Sequence, residues 1–131
     1  MNDEVVDRKR WDLRVRTKKF ALSVLSLCAS LPRTTEAQTL ARQVLRSGTS
    51  VGAHYREACR SRSRAEFISK IEGGLQELDE TTYWLELLME SGIAKSADVS
   101  VLIKEANELM AILVSSVRTA KSGRPSARGA K

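Results

Sequence analysis

Four segments of the sequence repeat apolar residues every three to four positions, and this spacing restricts the possible folds more than any other feature. It is the period of an α-helix with one buried face. The segments cover residues 20–31, 40–59, 67–89 and 99–117. The third is expected to bury Phe67, Ile71, Gly74, Leu75, Leu78, Thr82, Leu85 and Met89. The sequence therefore predicts four amphipathic helices.

Helix-ending and helix-starting residues separate the segments. Pro32 ends the first helix, and Thr35 with Gln38 has the spacing of a capping box that starts the second. Ser63 and Glu66 repeat that spacing, so the stretch before them is the junction between helices two and three.

Glycine and an acidic first turn mark the last boundary. Gly92 suits the left-handed cap of helix three, and Ser96 with Asp98 suits the start of helix four. Short links favour antiparallel neighbours. The predicted fold is an all-α, up-down-up-down four-helix bundle, assembled into a homo-oligomer.

A chain of 131 residues has room for one domain that buries its core without disulfides or metals. No apolar run approaches the ~18 residues that span a membrane, and no signal peptide is recognisable. We therefore expect a cytoplasmic protein with no membrane contact. Cys28 and Cys59 are expected to be free thiols, with no metal and no cofactor.

The formal net charge of +6 suggests a polyanionic partner, but the charge is unevenly distributed. We divide the chain into a basic N-terminal segment (1–16), the bundle (17–121) and a disordered basic tail (122–131). Residues ahead of about Arg16 either extend helix one or fray. Four cations lie at the C-terminus, namely Lys121, Arg124, Arg128 and Lys131. Without them the net charge is +2, so a nucleic-acid hypothesis depends on local clustering.

Arginines are concentrated on one side of helix two and in the link that follows it. The set is Arg42, Arg46, Arg56, Arg60, Arg62 and Arg64. Three interpretations compete: a solvated face, an ion-pair seam with an acidic ridge on helix three across a subunit interface, and phosphate binding through guanidinium groups. The acidic ridge contains Glu72, Asp79 and Glu86, joined by Glu90.

Glycines lie on the opposite side of helix two. Gly48 and Gly52 each cost about 1 kcal/mol relative to alanine in a helix, so close approach of a neighbouring backbone is the expected compensation. Trp84 falls about 120° from the centre of the core face of helix three, which favours a subunit contact over shielding by a long side chain or the N-terminal segment. Trp11, among basic residues, either anchors its segment or stacks on bases.

The stretch from Leu45 to Phe67 resembles the four-helix-bundle family encoded in intervening sequences of bacterial large-subunit ribosomal RNA genes, which includes the accessory protein of diversity-generating retroelements. The matching pieces are Leu31-Pro32, Glu36, Gln43 to Arg46, Ser50 to Ala53, Glu57, Glu66 to Ile68 and Glu77 to Glu80. His54 to Ala58 departs from the Asn-Ile-x-Glu-Gly of the family, and Gln76-Glu77 departs from its Gly-Ser.

This resemblance implies a homo-oligomer, typically a pentamer. For the retroelement branch it also implies a basic barrel that binds nucleic acid and a reverse transcriptase. His54, the only histidine, could be oriented by Glu57, but a capping or interhelix hydrogen bond is the favoured role. We predict a non-enzymatic oligomer that binds RNA or DNA. The alternative is a structural or protein-binding oligomer whose arginines form subunit salt bridges.

Overall fold

Four helices account for most of residues 3–123, the part of the chain that the computed structural model describes, with side chains from residue 8. They are α1 (Asp3–Ala29), α2 (Thr35–Cys59), α3 (Arg64–Glu90) and α4 (Ser96–Lys121). Each helix packs against the next, and α4 returns to α1. The described part contains no strand. The predicted all-α four-helix bundle is confirmed, and the predicted tail lies outside the described residues from residue 124 onward.

The first helix runs through the predicted boundary at residue 17. It begins at Asp3, so the residues ahead of Arg16 extend helix one, which is one of the two alternatives left by the sequence. Neither glycine nor proline interrupts this segment. Leu13 is buried and continues the core face toward the N-terminus, and the buried Thr17 hydroxyl donates to the Leu13 carbonyl.

One of the two predicted capping boxes is confirmed and the other is wrong by one residue. Ser63 Oγ accepts from the Glu66 backbone N–H at 3.0 Å, as predicted. Helix α2 is instead capped by Thr34, whose hydroxyl accepts from Ala37 N–H at 3.2 Å. Gln38 has no capping role, because its amide turns back and donates to the carbonyl of residue 32 at 2.9 Å.

The link from α3 to α4 uses the predicted glycine. Gly92 has φ of +78°, a left-handed conformation that glycine adopts without strain. The N–H of Ala94 donates to the Leu88 carbonyl at 3.0 Å, which closes the helix end. Helix α4 begins at Ser96 with Asp98 in its first turn, but its cap residue, Lys95, contributes no side-chain hydrogen bond.

The core of the bundle differs from the prediction on α3. Thr81 and Leu88 are fully buried there, whereas Leu75, Thr82 and Met89 are only partly buried. For Thr81 the reason is a polar pairing with α2, because Thr81 Oγ1 lies 2.8 Å from Ser47 Oγ. A hydrogen bond across the two helices allows a threonine to be buried at this position.

Replacing Thr81 by valine should lower the free energy of unfolding by about 1 kcal/mol, because the side-chain volume is kept and the hydrogen bond to Ser47 is lost. Thermal or denaturant unfolding measures this change. Thr82→Val is the control, with an expected effect within about 0.5 kcal/mol. In a cycle with Ser47→Ala, strictly additive effects would show that the two hydroxyls do not interact.

Helices α1 and α2 approach each other closely at the two glycines. A Cβ atom placed on Gly48 would lie 3.0 Å from Cγ2 of Val24, which is fully buried. A Cβ on Gly52 would lie 3.2 Å from Oγ1 of Thr17. At either position an added Cβ would fit only if the neighbouring α1 side chain shifted by a few tenths of an ångström.

Candidate nucleic-acid interface

Three parts of the chain that are distant in sequence meet at one end of the bundle. The antiparallel topology places the N-terminal half of α1, the link between α2 and α3, and the C-terminus of α4 together. Two distances place the end of α4 beside the start of α3. Lys121 Nζ lies 3.3 Å from Glu72 Oε2 on α3, and a Cβ on Gly123 would lie 3.7 Å from Arg64 Nη1. We call this region the basic end.

The link between α2 and α3 alternates arginine with serine from residue 60 to residue 64, and the two residue types have different roles. Ser61 is buried and donates to the carbonyl of residue 57, while Ser63 caps α3. The three arginines of the link, Arg60, Arg62 and Arg64, are all exposed. The serines thus bond the link to the helix ends, and the guanidinium groups face solvent.

Arg56 in the last turn of α2 adds a fourth exposed cation. Because α2 ends at Cys59, the arginines of the link do not continue a stripe along that helix. None of these four arginines forms an ion pair with a residue between 8 and 123. Their charges are available to a ligand.

Helices α1 and α4 add further cations to the basic end. Arg8 and Lys9 are exposed near the start of α1, and Arg118 and Lys121 lie in the last turn of α4. The phenol of Tyr55, near the end of α2, lies close to α1. Burial raises the pKa of Tyr55, and the charges of two α1 arginines at positions 10 and 14 partly oppose that rise.

The other two predicted arginines lie apart from this cluster. Arg46 pairs with Glu80 at 2.6 Å and with Glu77 at 3.3 Å, both on α3 of the same chain, and these carboxylates raise the pKa of Arg46. Arg42 is exposed one turn earlier on α2. The six predicted arginines therefore divide into four at the basic end and two along the side of the bundle.

The predicted interface residues of α3 are exposed, with one exception. Glu72, Asp79 and Glu86 lie on its outer side. Trp84 is partly buried and packs against the core of its own chain, with its ring 5.0 Å from that of Tyr83. Tyr83 was not among the predicted interface residues, but it is the exposed aromatic residue of this helix.

His54 lies in a notch on α3. A Cβ on Gly73 would be 3.0 Å from the ring, so this glycine leaves space for the imidazole. Glu57 and Glu77 each come within 3.9 Å of a ring nitrogen, beyond hydrogen-bond distance, and Lys70 pairs with Glu57 at 3.2 Å. The hydrogen bond favoured for His54 is not formed with any described residue, and the ring instead packs between α2 and α3 next to Glu57, Lys70 and Glu77.

The sequence analysis did not place the basic N-terminal segment beside the α2–α3 link, and it missed the notch at Gly73. The signal for the first was present, because antiparallel helices bring the start of helix one beside the end of helix two.

Within residues 3–123 no group of His, Cys, Asp and Glu could hold a metal ion. No helix in this part of the chain is long and apolar enough to cross a membrane.

Comparison with known proteins identifies the family of this chain. The search of curated proteins found no match. A crystal structure at 1.70 Å of a protein of unknown function, from the S23 ribosomal protein family of Bacteroides thetaiotaomicron, is 34% identical with a TM-score of 0.76. The match covers 91% of this chain and 100% of that one. A family model described as 23S rRNA-intervening sequence protein matches residues 10–115. The chain belongs to the 23S rRNA-intervening sequence protein family.

Proposed function

We propose that this protein is a non-catalytic homo-oligomer that binds nucleic acid through its basic end. The observation that carries the proposal is the set of exposed arginines at positions 56, 60, 62 and 64, which have no acidic partner between residues 8 and 123. Guanidinium groups form bidentate hydrogen bonds with phosphate, and each phosphate contact releases counterions.

RNA is the first ligand to test, because the family description refers to 23S rRNA. A role as accessory to a reverse transcriptase is the second possibility within this proposal.

A direct test measures binding of the unaltered protein to RNA and DNA of one sequence, single-stranded and duplex, over a salt series. The proposal expects binding at low salt that weakens linearly on a plot of log affinity against log salt. Preference for one nucleic acid identifies the ligand class. Failure to bind any of them at low salt would remove the proposal.

A second candidate is a structural or protein-binding oligomer in which the arginines form ion pairs with acidic side chains. The pairing of Arg46 with Glu77 and Glu80 favours it, because one predicted arginine is already used this way within the chain. The double variant Arg42→Glu/Arg56→Glu separates the two functions. Loss of binding with the oligomer intact supports nucleic-acid recognition, whereas dissociation into monomers supports the structural role.

We expect both the unaltered protein and His54→Ala to leave RNA intact, because the imidazole is used in packing against Gly73. The assay incubates labelled RNA with each protein, with and without chelator, and resolves the products by electrophoresis. Metal-independent cleavage by the unaltered protein that disappears in His54→Ala would contradict the non-catalytic proposal.

A further inference from the structure

Exposed apolar residues are concentrated on the side of α1 that faces away from the core. The exposed large hydrophobic residues there are Trp11, Val15, Leu22 and Leu25. Lys18 and Ala29, both exposed, complete a row separated by alternating steps of four and three residues. We call this row the outer stripe of α1. Such spacing is that of a helix that packs against another helix on this face, yet this face has no partner within the described chain.

Helix α3 carries a row of mainly acidic residues that follows the same seven-residue repeat. It consists of Glu72, Asp79, Tyr83, Glu86 and Glu90, and we call it the acidic stripe. Tyr83 is 54% exposed at its centre. A hollow of about 390 Å³ lies beside the ring, lined by Asp79, Glu80, Thr82 and Glu86. Carboxylates around an aromatic wall suit a lysine side chain.

The N-terminal half of the outer stripe lies among cations, and the acidic stripe lies among acidic residues. Residues 8–19 carry seven cations against Asp12, and residues 66–90 carry seven acids against Lys70. Within the described chain α1 contacts α2 and α4 but not α3, so the two stripes cannot meet in one copy. A second copy can bring them together.

We infer that the outer stripe of α1 in one copy packs on the acidic stripe of α3 in the next, with Lys18 directed at the hollow beside Tyr83. This inference rests on the self-assembly in the proposed function and names its surfaces. The contact joins two different faces, so every copy offers one of each, and repetition closes a ring when the rotation allows.

Charge disfavours the simplest competing arrangement. Two copies could pair through their α1 stripes alone, burying Trp11, Val15 and Leu22 against each other. That arrangement would bring Lys18 and Lys19 of both copies close together, and like charges across an interface are unfavourable. Packing on α3 covers the same apolar side chains and neutralises the lysines.

Charge reversal with rescue tests the inference. The α1 variant is Lys18→Glu/Lys19→Glu, and the α3 variant is Asp79→Lys/Glu86→Lys. Each is expected to raise the protomer concentration at half-dissociation about 10-fold or more, measured by sedimentation or mass photometry. Combining all four changes should restore assembly, which a general loss of stability would not do. Lys95→Glu/Lys104→Glu makes the same charge change outside both stripes and should assemble normally.

The outcomes separate this inference from the proposed function. An unaltered protein that is monomeric at micromolar concentrations overturns the self-assembly and this interface together, while nucleic-acid binding is judged by its own assay. An oligomer that persists unchanged in both reversed variants overturns only the interface. Stronger assembly of Lys18→Glu/Lys19→Glu would show instead that α1 stripes pair with each other. Circular dichroism checks that each variant stays helical, and the α3 variant serves if the α1 variant misfolds.

Discussion

Replacing Arg60, Arg62 and Arg64 by glutamine is expected to lower the affinity for nucleic acid roughly 100- to 1,000-fold near 0.1 M salt. These side chains are exposed at the basic end, so their replacement removes phosphate contacts without disturbing the core. Each lost contact should also reduce the slope of log affinity against log salt by about 1. Fluorescence anisotropy with labelled RNA and DNA measures both quantities.

A matched control distinguishes local clustering from total charge. Arg33, Lys95 and Lys104 are exposed cations away from the basic end, and their replacement by glutamine removes the same three charges. That variant is expected to change the affinity no more than a few-fold, because its side chains lie beyond the contacts with phosphate. If the two variants lose affinity equally, binding depends on net charge and the basic end has no special role.

The second large effect concerns stability. Gly48→Leu should lower the free energy of unfolding by about 3 kcal/mol, because its first carbon atom would meet Val24 at 3.0 Å in a fully buried position. Val24 is β-branched and has few alternative rotamers, so α1 must move for the side chain to fit. Denaturant unfolding at one protomer concentration measures the change, since assembly also contributes to stability.

Thr49→Leu is the control for this experiment, because Thr49 is the next residue of α2 and is exposed. Its expected effect is within about 0.5 kcal/mol. Adding Val24→Ala to Gly48→Leu should recover part of the lost stability by making space across the helix interface. Equal stability of Gly48→Leu and Thr49→Leu would show that the helices can separate here without cost.

The fold was predictable because its determinants are local and periodic. Apolar spacing identified the four helices, and Ser63 and Gly92 identified two of the boundaries correctly. The misplaced cap has a simple cause: two threonines stand side by side, and sequence alone does not show which of them turns its hydroxyl to the helix. Burial of Thr81 likewise depends on a partner, Ser47, that is distant in sequence.

The candidate site was less predictable because it combines residues from several helices. The sequence grouped arginines by their angle around one helix, whereas the structure groups them by their position along the bundle. Arg46 shows the difference most clearly, since its pairing with Glu77 and Glu80 depends on how α3 lies beside α2. The outer stripe of α1 was not predicted, because its residues follow the same helical period as the buried face on the other side of the helix.

The serines between the arginines of the α2–α3 link have a further thermodynamic consequence. Hydroxyl contacts at Ser61 and Ser63 restrain the backbone of the link before any ligand arrives. If the link binds a polyanion as proposed, the conformational entropy lost there would come mainly from the guanidinium side chains, because the main chain has already been ordered during folding. A short, preorganised turn of this kind can bind a polyanion without a disorder-to-order transition.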